Sequence, residues 1–145
     1  MYFVDRDKIE ERLMYIEKMI EFFEEIKEWS LTVEKLAIER IIQMVIEAVL
    51  DVGNSLIDGF IMRDPGSYED IIDILEDEKV ITKEMSESYK RVLHLRRSLI
   101  QTYTTINHDE LHQIFSRELG MLKRFAPNVR DYNENELGPV TTFKS

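Results

Sequence analysis

A short basic segment stands out in an otherwise acidic chain. From Lys90 to Tyr103 the sequence reads KRVLHLRRSLIQTY, in which four cations fall within eight residues and no acidic residue occurs. The whole chain has a formal net charge of −10, so the average conceals a local positive field. Cations clustered in this way favour a phosphate-bearing ligand. The alternative is that they pair with glutamates on neighbouring helices, because exposed ion pairs are common.

Three histidines supply the side chains that exchange protons near neutral pH. His94 lies inside the basic segment, and His108 and His112 follow it. The spacing of His108 and His112 is that of metal ligands on a helix, but no third ligand can be identified. We therefore expect each histidine to be an exposed surface residue, and we predict neither a metal nor a cofactor. The chain has no cysteine, which excludes disulfides, thiolate zinc sites and cysteine nucleophiles.

The composition favours helices as the elements that carry these residues. Hydrophobic residues make up 43% of the chain and charged residues 33%, with only five Gly and three Pro. Apolar positions recur at three- and four-residue steps, which predicts amphipathic helices. Caps and turns place these helices at about 6–29, 33–62, 68–78, 83–105 and 108–125. The predicted fold class is all-α, an up-and-down helical bundle of four long helices and one short helix.

The second predicted helix is densely apolar but carries one ordered row of polar residues. Gln43, Glu47 and Asp51 follow one another at steps of four, and Asp58 extends the row. Such a row is either a solvent-exposed stripe, which amphipathicity alone requires, or a polar surface that faces a cleft. The solvent-exposed stripe is the simpler interpretation.

The chain is predicted to form one domain over residues 1–132, followed by an extended or disordered tail over residues 133–145. Pro127 should stop or kink the last helix near Phe125. The long apolar stretches are interrupted by polar and charged residues, so no membrane span is predicted. The first residues also lack the basic-then-apolar layout of a signal peptide. We therefore expect a cytoplasmic protein.

Part of the basic segment has the spacing of a known motif. Arg96, four intervening residues, Gln101, one residue and Tyr103 lie on the helix before the last. This arrangement resembles the HepT-like branch of the HEPN superfamily, which has an Arg, four residues, a His, one residue and a Tyr at that place. Residues 37–54 resemble the second helix of the family, and Ile106-Asn107 is similar to the pair that caps its last helix. The resemblance covers most of residues 5–125.

The resemblance implies a metal-independent endoribonuclease toxin. Such cleavage needs a base that takes the 2′-hydroxyl proton and a cation that stabilises charge on the phosphate. Family members form homodimers in which two motifs face one cleft, and some have a nucleotidyltransferase antitoxin that adenylylates the motif tyrosine. By this resemblance Arg96, Gln101 and Tyr103 occupy the catalytic positions. Arg96 would then bind the phosphate, and Tyr103 would be the modification site.

Gln101 departs from the family at the position of the base. A carboxamide hydrogen-bonds but does not exchange protons near pH 7, and general acid–base catalysis contributes ~10²–10⁴-fold. We therefore expect weakened or lost activity. On a straight helix, five residues turn through about 140°, so Arg97 rather than Arg96 would share a face with Gln101. Arg91, His94 and Arg97 are accordingly candidate substrate-binding residues.

Three functions remain open from the sequence. The first is a HepT-like ribonuclease, the toxin of a toxin–antitoxin pair, with activity reduced by Gln101. The second is a non-catalytic HEPN homodimer that binds RNA, a nucleotide or a partner protein. The third is a structural helical protein. The net charge of −10 weakens general attraction to nucleic acid, so any RNA binding would depend on the basic segment.

Overall fold

The computed structural model describes residues 2–138, and every regular element within that range is an α-helix. This confirms the all-α class. The five predicted helices follow one another in the predicted order. The fourth is divided into two segments, and a further helix, which the sequence did not predict, follows the fifth. The elements are α1 (Arg6–Glu25), α2 (Thr32–Gly59), α3 (Tyr68–Asp77), α4 (Lys83–Leu93), α5 (Leu95–Ile100), α6 (His108–Leu122) and α7 (Phe125–Leu137).

Local capping sets most of the helix starts. The side chains of Asp5, Ser67, Thr82 and Asn107 each accept a hydrogen bond from the backbone N–H three residues later, at 3.0 to 3.2 Å. Each bond satisfies one of the N–H groups that the first turn of a helix leaves unpaired. These caps are short-range features, so a local pattern placed the starts of α1, α3, α4 and α6 correctly. The cap predicted for the second helix at Ser30 or Thr32 is wrong, because Leu31 is the N-cap of α2 and makes no side-chain cap bond.

The breaks after α4 and after α6 both occur without glycine. His94 separates α4 from α5 while keeping a helical backbone at φ −60° and ψ −26°, so this break is a local irregularity. The chain then leaves the helix after Ile100, five residues before the predicted end. Lys123 and Arg124 separate α6 from α7. Pro127 is the third residue of α7, where its missing N–H would have no intrahelical partner, and this confirms the predicted break near Phe125.

The predicted tail is wrong over residues 133–137, because α7 continues to Leu137. Two contacts hold α7 against the bundle. Val129 and Asn133 are buried, and the guanidinium of Arg130 bonds the carboxylates of Glu10 and Glu17 on α1. Residues 139–145 of the predicted tail lie outside the described residues.

The core is built around α2, which packs against α1, α3, α5 and α6. Gly53 allows the closest approach in this core, since a Cβ atom there would lie 2.6 Å from Cγ2 of Ile71 on α3. The beginning of α3 therefore packs closely on α2. None of the helices described in residues 2–138 has the length and apolarity needed to cross a membrane.

Candidate functional site

An open cleft of ≈ 790 Å³ lies between the start of α3 and the α4–α5 segment. Four of the six site residues predicted from the sequence line it, together with residues that the sequence did not indicate. The lining residues are Ser67, Tyr68, Glu69, Leu93, His94, Arg96, Arg97 and Gln101. The structure therefore brings together the centre of the basic segment and the beginning of α3.

Arg96 is held on both sides of its guanidinium group. Its Nε donates a hydrogen bond of 2.6 Å to Oε1 of Glu47 on α2, and its Cζ lies 4.3 Å from the centre of the Tyr68 ring. The side chain is only 24% exposed. Among the described residues, no hydrogen-bond acceptor is recorded for its two Nη groups. Arg96 is thus oriented by Glu47 and Tyr68 while keeping donors for an oxyanion in the cleft.

Arg97 carries the second positive charge of this wall. It is exposed, and no hydrogen bond or ion pair joins it to any residue in the described part of the chain. A charge without a counter-ion attracts a phosphate more effectively than one already neutralised. The wall formed by α5 therefore combines one oriented cation and one uncompensated cation.

Gln101 and His94 also line the cleft. The straight-helix geometry predicted that Arg97 and not Arg96 would share a face with Gln101. Both arginines line the cleft with it, because α5 ends at Ile100 and the cleft is wide. Of the three histidines, His94 is the one that lines this cleft.

Tyr103 lies outside the cleft lining. It belongs to the turn that follows α5, in which the backbone N–H of Thr105 donates to the carbonyl of Thr102 at 3.2 Å. Its side chain is 64% exposed. The phenol is therefore accessible from solvent.

The first two cations of the basic segment point away from the cleft. Arg91 makes a bidentate pair with Glu118 on α6, with hydrogen bonds of 2.9 and 2.8 Å, and this lowers the pKa of Glu118. Lys90 pairs with Asp73 on α3. The alternative of pairing with neighbouring acidic residues thus holds for these two cations and, through Glu47, for Arg96 as well. The structure does not bring Arg91 to the other predicted site residues.

The two remaining histidines are partnered elsewhere. Nε2 of His108 lies 2.8 Å from a carboxylate oxygen of Glu39. His112 stacks on Trp29 with ring centres 3.6 Å apart, and burial lowers its pKa. Both are half-buried, so the predicted surface position is wrong for them because each packs against a helix or loop that is distant in sequence. Within residues 2–138, no group of three or more His, Cys, Asp or Glu side chains is placed to hold a metal ion.

Two residues of the cleft lining, Tyr68 and Glu69, were not indicated by the sequence. They begin α3, and nothing in the local sequence relates them to a motif some 30 residues later. Glu47, in the polar row of α2, bonds Arg96 but does not itself line the cleft. This position of the row therefore faces the motif helix.

Comparisons with known proteins agree with this architecture. A family model described as "Ribonuclease HepT-like" matches residues 9–129. The chain is 44% identical over 144 residues to "Putative RNase YutE" of Bacillus subtilis (strain 168), covering 99% of this chain and 100% of that protein. The solved structure of YutE, described as a cytosolic protein, superposes with a TM-score of 0.94, again over 99% and 100% of the two chains.

A more distant solved structure shares the fold. It is the tri-AMPylated HEPN toxin of Shewanella oneidensis in complex with an MNT antitoxin, which is 19% identical with a TM-score of 0.76. The match covers 85% of this chain and 96% of that one. The family match over residues 9–129 and the 44% identity to YutE show that the chain belongs to the HepT-like ribonuclease family.

Proposed function

We propose that the chain binds single-stranded RNA through phosphates in the cleft, and that it cleaves RNA weakly because Gln101 stands where the family has a histidine. The observation that carries this proposal is the α5 wall. Arg96 is oriented by Glu47, and Arg97 beside it has no counter-ion among the described residues. In a chain with a net charge of −10, this is where an anionic ligand would be held.

The cleft supplies part of the chemistry of metal-independent cleavage. Two guanidinium groups can stabilise the charge that develops on the phosphate, and the Gln101 amide can hydrogen-bond a phosphate or ribose oxygen. The proton of the 2′-hydroxyl needs a base, and His94 is the imidazole that lines the cleft. His94 lies two helical turns before Gln101, the family position of the base, so we expect residual rather than full activity. A cytoplasmic location belongs to the same proposal and is supported by the relation to YutE.

RNA binding by Arg97→Ala tests the proposal. A labelled single-stranded RNA is titrated with the parent protein and the variant at two salt concentrations by fluorescence anisotropy. We expect Arg97→Ala to weaken binding and to reduce the slope of log affinity against log salt by about 1, because one phosphate contact is lost. Arg117→Ala is the matched control, since Arg117 is exposed on α6 and does not line the cleft. Absence of binding by the parent at low salt, or equal effects of the two variants, contradicts the proposal.

The proposal includes a homodimer in which two motifs share one cleft. Ile100, next to Gln101, is an exposed apolar side chain, as expected of a surface that a second copy covers. Two-fold pairing is the commonest geometry of soluble oligomers and would bring four cleft arginines together. Sedimentation at micromolar concentration should give a dimer. A strict monomer would leave each cleft to act alone and would contradict this part of the proposal.

A nucleotidyltransferase antitoxin is the partner protein that we propose. The fold is shared with a HEPN toxin solved in AMPylated form with its MNT antitoxin, and Tyr103 is 64% exposed on the turn after α5. Incubation with ATP, Mg²⁺ and a nucleotidyltransferase encoded beside the gene should add AMP to Tyr103, detected by peptide mass spectrometry. Tyr103→Phe should abolish the modification, and persistence of AMP at another residue would exclude Tyr103 as the site.

A further inference from the structure

The two walls of the cleft differ in chemistry. The α5 wall is cationic, with Arg96 and Arg97, and His94 adjoins it. The opposite wall, at the start of α3, is lined by Ser67, whose hydroxyl caps that helix, and by Tyr68 and Glu69. A nucleotide has the same division, with an anionic phosphate at one end and a base bearing hydrogen-bond donors at the other. The volume of ≈ 790 Å³ falls within the range of small-molecule sites.

Tyr68 is an exposed aromatic residue held in a fixed place. Its side chain is 49% exposed although the Arg96 guanidinium lies over the ring. The loop before it is anchored by Asp70, which accepts two hydrogen bonds from Arg63 at 2.8 and 2.9 Å and one from the backbone N–H of Gly66 at 2.8 Å. Unpaired RNA bases are recognised by stacking on aromatic and guanidinium planes. The Tyr68–Arg96 pair offers both kinds of plane in one position.

Glu69 differs from the acidic residue beside it. Asp70 is engaged by Arg63 and Gly66, whereas Glu69 is exposed and accepts no hydrogen bond within the described part of the chain. The hydrogen bond that Lys90 makes with Asp73 raises the pKa of Lys90, and the nearby charge of Glu69 raises it further. A carboxylate can only accept hydrogen bonds. It therefore favours a base edge with adjacent donors, such as N1–H and N2–H of guanine, and repels the two carbonyl oxygens of uracil.

We propose that Tyr68 and Glu69 form a nucleobase subsite that stacks one base of a single-stranded RNA and prefers guanine to uracil. This inference rests on the proposed RNA binding, with the adjoining phosphate on Arg97. The phosphate contact supplies affinity without sequence information, and the α3 wall supplies the selection.

Pentanucleotides that differ in one base test this inference. The sequences UUGUU and UUUUU carry the same number of phosphates, so a difference in their affinities reports the base alone. We expect the parent protein to bind UUGUU at least about fivefold more tightly, from the usual contribution of a two-bond contact to a base edge. Glu69→Gln should bring the two affinities within about twofold, because an amide can pair with either base.

Tyr68→Leu and Tyr68→Phe separate stacking from the hydroxyl. We expect Tyr68→Leu to weaken binding of UUGUU by about fivefold or more, as loss of base–aromatic stacking does. Tyr68→Phe should leave the affinity near the parent value. Circular dichroism melting of each variant checks that it is folded. The subsite is overturned, and the proposed RNA binding stands, if the parent binds both RNAs with equal affinity and the Glu69 and Tyr68 variants have the affinities of the parent. Parent protein that binds neither RNA at low salt overturns both.

Discussion

Arg96 and Glu47 are joined by a hydrogen bond of 2.6 Å although they are 49 residues apart in sequence. Both side chains are partly buried. The bond uses the Nε of Arg96, so it fixes the plane of the guanidinium while leaving the Nη groups for another acceptor. Glu47 therefore has two opposed effects on an anionic ligand: it repels the ligand through its charge, and it orients the arginine that would bind it.

A double-mutant cycle separates these two effects. If Glu47 orients Arg96, then Arg96→Ala should cost more RNA affinity in the parent than in the Glu47→Ala background, with a coupling of about 0.5–3 kcal/mol. The same cycle with Arg97→Ala should be additive, because Arg97 makes no contact with Glu47. Affinities by fluorescence anisotropy at one fixed salt concentration give both values. Zero coupling in the first cycle would mean that Arg96 acts only as a diffuse charge.

Gln101→His should raise RNA cleavage without added metal. The change places an imidazole at the family position of the base, and general acid–base catalysis supplies about 10²–10⁴-fold. Cleavage of a labelled RNA in the presence of a chelator measures the gain, which should decline at acidic pH as the imidazole becomes protonated. His94→Ala should remove the residual activity of the parent but reduce that of Gln101→His much less. An efficient parent enzyme that gains nothing from Gln101→His would contradict this assignment.

Short-range features of the fold were predicted from the sequence, whereas long-range contacts were not. The caps at Asp5, Ser67, Thr82 and Asn107 act within three residues, so a local pattern reveals them. The end of α1 was not predicted: the helix ends at Glu25 rather than near Trp29. Trp29 lies beyond it, donates to Asp109 at 2.9 Å and stacks on His112, which are both distant in sequence. No glycine or proline lies at the break at His94, so the sequence does not predict it.

In the candidate site, too, the features of one segment were predicted and the long-range contacts were not. The motif identified Arg96 and Gln101, because their spacing is a property of one segment. It did not reveal that Arg91 would pair with Glu118, since the partner of an arginine depends on which helix face packs where. Tyr68 joins the cleft through tertiary packing alone, because the start of α3 meets α5 across the bundle. A single sequence therefore identified the cationic wall and left the opposite wall unseen.

Gly53→Ala should destabilise the bundle and disturb the α3 wall. The new Cβ would lie 2.6 Å from Cγ2 of Ile71, and this methyl group branches directly from Cβ, so it cannot move aside freely. Overpacking of this kind costs about 1–3 kcal/mol, measured by urea denaturation. Gly120→Ala is the matched control, because nothing lies within 4 Å of its added Cβ, and it should stabilise α6 by about 0.5–1 kcal/mol. Equal stabilities for the two variants would contradict the close packing of α3 on α2.

The pair of Arg91 and Glu118 joins α4 to α6 away from the cleft. The Glu118 side chain is 5% exposed and that of Arg91 is 54% exposed, so the two partners respond differently to removal of the other. Arg91 without Glu118 can turn into solvent. Glu118 without Arg91 leaves a carboxylate buried without its cation, which is the costlier state. Because the hydrogen bond from Arg91 lowers the pKa of Glu118, its contribution to stability is present above the unfolded-state pKa and is lost as pH falls through the folded-state pKa.

Arg91→Ala should therefore lower the melting temperature at pH 7 by several degrees, and by more than Glu118→Gln does. The difference between parent and Arg91→Ala should shrink as pH falls below the ordinary range of a glutamate, because protonation removes the uncompensated charge in the variant and the ion pair in the parent. Lys18→Ala is the control for an exposed pair, since Lys18 and Glu21 are both more than 60% exposed and such pairs contribute little. Thermal melts from pH 7 to pH 3 give the comparison. In the RNA-binding assay Arg91→Ala should match the parent. A loss of RNA affinity like that of Arg97→Ala would show that Arg91 contacts the RNA despite its bond to Glu118.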